Sequence, residues 1–311
     1  MNLSPAGHDP VLLSEVLTTL DPKPGQTIVD CTLGRAGHSR AIADLLGPTG
    51  LLIGLDVDPR NLEFAKARLA DAPCKTRLFH ANFAELPDVM REVGLTQVDG
   101  ILADLGLSTN QLFDPHYGLS FANDMPLDMR IDPRIRRTAA DLVANLNEED
   151  LANVLYNLAQ EHYSRRIARK IVEARRTSPI NSTERLADLV RSAIPSRGGA
   201  PAKIDPATRT FLALRMAVNQ EMENLAALLK QAPKFLKPHG RFAVISFQSM
   251  EDRPVKQAFR SAEQTGFLAL VTKKPISPSD SELSANPRSR SAKLRVAERV
   301  SLDATSQRRT T

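Results

Sequence analysis

Apolar residues in this chain fall into two kinds of run: short unbroken ones and longer ones spaced three and four apart. Thr27 to Asp30, Leu51 to Asp56, Lys75 to His80 and Val98 to Asp104 are of the first kind, the pattern of strands covered on both faces. The spaced runs lie between them. Ser39 to Leu46 reads as a helix with Ser39 as its N-cap, and Asp58-Pro59-Arg60 opens another whose Leu62, Ala65 and Leu69 share a face. Ahead of these, a polar lead of His8-Asp9-Pro10 runs into Val11, Leu12, Leu13, Val16, Leu17 and Leu20, a short amphipathic helix. Strand and helix in alternation predict an α/β domain on a parallel sheet.

After Asp104 the alternation stops. The chain leaves through Leu105 to Gln111, and the next convincing strand, Arg241 to Phe247, follows a Lys237-Pro238-His239-Gly240 turn more than a hundred residues on. A crossover needs only a dozen or so residues. The interval is helical: Asn147 to Leu158, Ser164 to Arg175, Thr183 to Ala193, then a long helix from near Pro206. This predicts a helical domain, 109–208, inserted into an α/β domain made of 1–108 and 209–300. Leu294 to Ala297 would close the sheet, and the polar composition from Ser301 onward predicts a disordered tail, 301–311.

Parallel sheets bind ligands at the carboxyl ends of their strands. Asp30, Asp56, Asp104 and Phe83, in the turn behind the third strand, would therefore share one edge. Gly34 lies in the turn after the first strand, and Asp56 follows it by 22 residues, the spacing at which an acid holds ribose hydroxyls in nucleoside-binding α/β units. A dinucleotide fingerprint is broken, because Ala36 and Ser39 occupy its second and third glycine places, and no P-loop is present. A nicotinamide-dependent oxidoreductase is thus disfavoured. S-adenosylmethionine (SAM), whose amino-acid end carries no phosphate, fits what remains, with Phe83 placed to cap its adenine ring.

Composition narrows the picture further. The 311 residues are 42% hydrophobic, enough for a large core, and the two cysteines, Cys31 and Cys74, support neither a disulfide framework nor a zinc site. No metal is implied. No leader pattern and no run of roughly 18 apolar residues occurs, which predicts a cytoplasmic protein off the membrane. The net charge of +5 concentrates in two places: Arg165, Arg166, Arg169, Lys170, Arg175 and Arg176 along one helix, and Arg288, Arg290 and Lys293 near a Ser/Pro-rich loop. Such groups suit phosphate contacts to a nucleic acid, although a solvated helix face has the same composition.

Several blocks together carry a family resemblance. His8-x-Pro10-Val11-Leu12-Leu13, Gly34-Arg35-Ala36-Gly37-His38-Ser39, Asp104-Leu105-Gly106-Leu107-Ser108, Pro126-Leu127-Asp128-Met129-Arg130, Pro206 to Phe211 and Asn286 to Arg295 resemble the bacterial RsmH (MraW) family of 16S ribosomal RNA cytosine-N4 methyltransferases. The resemblance implies a class I SAM-dependent methyltransferase, Rossmann-like with an inserted helical domain. It also implies SAM contacts at Ala36, Gly37, His38, Asp56, Phe83, Asp104 and Gln111, and a cytidine of the small-subunit decoding region as substrate. Chemistry at a cytosine amine asks for an acceptor of its proton. Asp104 is the candidate catalytic residue and Asp128 the runner-up. The chain departs from the family at Ala36, Phe113, Tyr117, Leu212 and Gln248, which leaves a retargeted or non-catalytic paralogue as the second reading. A homodimer is left open.

Overall fold

The computed structural model describes residues 10–108, 111–112, 114–195 and 205–301. His8, Phe113 and the expected tail beyond Ser301 lie outside the described residues. Seven strands form one sheet: β1 (Thr27–Asp30), β2 (Leu51–Asp56), β3 (Lys75–His80), β4 (Val98–Asp104), β5 (Leu236–Ser246), β6 (Leu268–Leu270) and β7 (Lys293–Arg299), in the order β3-β2-β1-β4-β5-β7-β6. β1 to β5 run parallel, and β7 runs against both β5 and β6. This is a class I, Rossmann-like sheet. Helices α1 (Leu13–Leu20), α2 (Gly37–Leu46), α3 (Pro59–Arg68) and α4 (Leu86–Val93) belong to its first half. Apolar cores lie on both sides of the sheet, one around Ile28, Ile42 and Leu52, the other around Val29, Ile53 and Phe242, which is why β1 and β2 are unbroken apolar runs.

Four details depart from the sequence pattern. α2 starts at Gly37, two residues ahead of the expected cap, because the Ser39 hydroxyl donates instead to Asp30 Oδ2 at 2.7 Å. The supposed Lys237–Gly240 turn lies inside β5, where its pairing with β4 slips between Val98 and Gly100; the bulge accommodates Pro238 and the left-handed His239. The expected long helix is two, α9 (Ala207–Val218) and α10 (Glu221–Gln231), parted by left-handed Gln220. Between them Asn219 donates to the Met129 carbonyl at 2.8 Å and accepts from Ile131 N at 2.9 Å. The fourth difference is the boundary of the inserted unit.

The chain divides into two compact units, Met1–Gly106 with Met222–Thr311, and Leu107–Glu221. The second unit ends at Glu221 rather than at 208, since α9 contributes Phe211, Ala213 and Leu214 to its core. It is helical, with α5 (Ala139–Asn145), α6 (Glu148–Ala159), α7 (Ser164–Thr177), α8 (Thr183–Ala193) and α9 closing over Leu127, Met129, Leu151, Leu155 and Ile167. The α7 arginines are not all alike: Arg175 donates to the Val143 and Leu146 carbonyls at 2.5 and 2.7 Å, capping the last turn of α5. Gly118 holds φ +60°, and a Cβ there would stand 2.0 Å from the Pro126 carbonyl oxygen. Only glycine fits that turn.

In the first unit, α11 (Ser249–Gln264) and α12 (Asp280–Ala285) follow β5 and precede β7. Arg295 of β7 forms a two-bond pair with Asp252 of α11, at 2.7 and 3.1 Å, both residues buried.

Candidate cofactor and active site

Three carboxylates end neighbouring strands β1, β2 and β4. Asp30 is buried and accepts from Ser39 Oγ and, at 3.1 Å, from Thr32 N; burial raises its pKa. Asp56 accepts from Gly34 N at 2.6 Å and Asp58 N at 2.8 Å, so the glycine turn and the expected ribose acid are directly bonded. Burial pushes the Asp56 carboxyl up to about 6 despite those two donors. Asn61 Nδ2 also donates to the two Asp56 oxygens in long contacts of 3.4 and 3.5 Å.

Asp104 is set differently. Its backbone N–H donates to Thr32 Oγ1 at 2.6 Å, which fixes the ends of β1 and β4 together. Its Oδ1 is buried and receives no hydrogen bond from any described residue. Its Oδ2 lies 3.7 Å from His38 Nδ1. Burial, then the charges of Asp30 and Glu251, push the carboxyl to about 8. A buried acceptor with no donor is costly in a folded chain and marks a place built for a ligand group. The His38 ring is held by Nε2, which donates to the Val11 carbonyl at 2.8 Å.

Gly34 and Ala36 both take left-handed backbone, at φ 51° and 57°, and Gly37 opens α2 with Pro10 packed where its Cβ would be. Phe83 follows β3 in a short 3₁₀ turn fixed by Asn82, whose Oδ1 accepts from Ala84 N, while Glu85 accepts from Asn82 N. Facing Asp104 from the β5 side, Glu251 accepts from Phe247 N and Gln248 N at 2.9 and 3.2 Å, and Phe247 packs on Gly106. Neither Thr32 nor Glu251 was expected from sequence. Glu251 carries a signal in hindsight, an acid three residues into a helix start; Thr32 carries none.

Other expected site residues lie in the second unit. Gln111 is buried and its Oε1 accepts from Ser108 N at 3.1 Å. Asp128 is braced by Arg130 through both oxygens, at 2.7 and 2.8 Å, beside the left-handed Met129. Arg165, Arg166 and Arg169 are exposed on α7, with Arg169 3.3 Å from Glu148. Of the family departures here, Tyr117 is buried in the second core and Leu212 packs on it. In the first unit Arg288 and Arg290 are exposed, and Lys293 lies 3.6 Å from Asp252.

A family model described as the MraW methylase family matches residues 5–300. The chain belongs to that family. Ribosomal RNA small subunit methyltransferase H of Syntrophotalea carbinolica is 45% identical over 308 residues, covering 94% of this chain and 98% of that protein. The proteins of the same name from Acidobacterium capsulatum and Geobacter sulfurreducens are 46% and 45% identical, with 94% of this chain covered in each case and 98% and 99% of the relative. A solved rRNA-methylase structure from Clostridium thermocellum aligns over 93% of this chain and 95% of its own at 12% identity, with a TM-score of 0.46. The chain is thus a SAM-dependent methyltransferase. The residues present fit that cofactor: a cluster of carboxylates suits a ligand with a sulfonium and an ammonium, and Asp56 and Asp104 stand at the carboxyl ends of β2 and β4. No described helix is long and apolar enough to cross a membrane.

Proposed function

We propose that this enzyme methylates N4 of a cytidine in the decoding region of 16S ribosomal RNA, within the small subunit. The observation that carries the reading is the Asp104 carboxyl at the carboxyl edge of a methyltransferase sheet, whose buried Oδ1 has no donor among the described residues. Bound SAM supplies the electrophilic methyl group. Asp56 would hold its ribose hydroxyls, the Gly34 to His38 turn its amino-acid end, and Phe83 its adenine.

A cytosine amine is a weak nucleophile, because its lone pair is spread into the ring. The chain's task is mainly positioning, bringing N4 to roughly 3 to 3.5 Å from the methyl carbon, after the base has been unstacked. The Asp104 carboxylate accepts an N4 proton, which localises the lone pair and removes the proton lost when the new C–N bond forms. Its raised pKa makes it a stronger base than an ordinary carboxylate, and a cation beside it favours the ionised form needed. Phosphate contacts from Arg165, Arg166, Arg169, Arg288, Arg290 and Lys293 would position the RNA without reading its sequence.

The test is incubation with methyl-labelled SAM and small subunits from a strain lacking this protein, followed by nucleoside analysis. N4-methylcytidine is the expected product. Label on another atom, or none from a protein that binds SAM, overturns the assignment.

A further inference from the structure

The peptide group joining Val11 and Leu12 is gripped on both edges. Its carbonyl accepts from His38 Nε2 at 2.8 Å, and its N–H donates to Glu282 Oε1 at 2.8 Å. In a trans peptide these two bonds point in opposite directions, so Glu282, the peptide and His38 form one line. At the far end of the ring, Nδ1 stands 3.7 Å from Asp104. Leu12 is buried and holds left-handed φ 55°, a conformation a leucine keeps only when its surroundings impose it. Pro10 is packed on Gly37, which pins the same segment from the other side.

Glu282 is itself placed firmly. It sits on α12, where its N–H is capped by Ser279 Oγ, and Ile276 just upstream exchanges two backbone bonds of 2.9 Å with Leu294 of β7. We propose that Glu282 is a positioning residue for the cofactor site, acting on His38 through the Val11–Leu12 peptide. The carboxylate polarises the peptide, strengthening its carbonyl as an acceptor. That acceptor can be satisfied only by an Nε2–H imidazole, so neutral His38 is held in the tautomer whose Nδ1 is an acceptor facing Asp104. The inference rests on the placement of His38 in the SAM site.

The experiment reads the His38 tautomer from ¹⁵N imidazole shifts at pH 8 without SAM, assigned with His38→Gln, in wild type, Glu282→Gln and Glu282→Ala. Glutamine keeps an acceptor for Leu12 N–H and alanine does not; Glu282→Met is a second loss variant should the alanine protein not fold. The Nε2–H form is expected in wild type and Glu282→Gln, and a mixture of tautomers in the loss variants. Calorimetric SAM affinity is expected to fall about tenfold in the loss variants, the weight of one charge-assisted hydrogen bond, and to be largely rescued by glutamine. An unchanged tautomer in Glu282→Ala overturns the relay, as does a glutamine variant that fails as badly as alanine. Asp56→Ala serves as the control. If its SAM affinity is unchanged, the site placement is wrong, while the tautomer still decides the relay.

Discussion

Replacing Asp104 by asparagine should flatten the pH dependence of stability in a defined window. The folded chain keeps the Asp104 proton up to about pH 8, whereas the unfolded chain releases it near the ordinary 3.8. Between those values the native state binds one more proton than the unfolded state, so stability falls as pH rises. The slope is about 1.4 kcal/mol per pH unit, and it ends above pH 8. Asp56 titrates at about 6, so most of its similar loss is complete by the bottom of a pH 6 to 8 window. Over those two units wild type should lose up to about 2.3 kcal/mol more than Asp104→Asn, since the carboxyl is half ionised by pH 8. A quarter of the Asp104 side chain is exposed, which makes that figure an upper bound. The chain has no tryptophan, so urea unfolding without SAM is followed by far-ultraviolet circular dichroism at pH 6, 7 and 8. His38 lies 3.7 Å from Asp104, so the same pair is also compared in a His38→Gln background. Parallel curves for the two proteins would show an ordinary, ionised carboxylate and remove the electrostatic basis for the assigned base.

The same carboxyl should release a proton when a cationic ligand binds beside it, so the SAM binding enthalpy measured near pH 7.5 should depend on the buffer's ionisation enthalpy in wild type and much less in Asp104→Asn. Gly118→Ala should cost the second unit upward of about 3 kcal/mol, from a left-handed backbone and a Cβ at 2.0 Å from a carbonyl oxygen; unchanged urea stability would mean the turn relaxes freely. Arg295→Met leaves Asp252 buried with Lys293 alone at 3.6 Å and should destabilise by about 3 kcal/mol, whereas the double change Asp252→Leu with Arg295→Leu should recover most of it in the same assay. Neutralising Arg165, Arg166 and Arg169 together should lower the salt slope of RNA binding by about 2 to 3, leaving SAM affinity alone; an unaltered slope makes α7 a solvated face.

The parallel strands were legible because each is covered on both sides and so appears as an unbroken apolar run. Asp30, Asp56 and Asp104 could be placed on one edge for the same reason, since strand ends follow from strand starts. What escaped were features made by long-range contact. Pro238 and Gly240 look like a turn, and only the slipped pairing with β4 keeps them in β5. Ser39 has the local chemistry of a cap, but Asp30 competes for its hydroxyl and wins. Nothing local shows that Arg130 folds back onto both oxygens of Asp128. Glu282 and the Val11–Leu12 peptide it holds are 270 residues apart.

Ala36 bears on how this loop drifts over evolutionary time. Its left-handed backbone costs an alanine about 1 to 2 kcal/mol. Its methyl group is fully buried in the core beneath β1, which returns about 0.8 kcal/mol, and glycine would lose a further 0.5 to about 1 kcal/mol in unfolded-state freedom. The opposing amounts nearly cancel. Glycine and alanine are therefore close to interchangeable at this position, and a lineage can cross between them in one mutational step without losing the fold that presents Gly37 and His38.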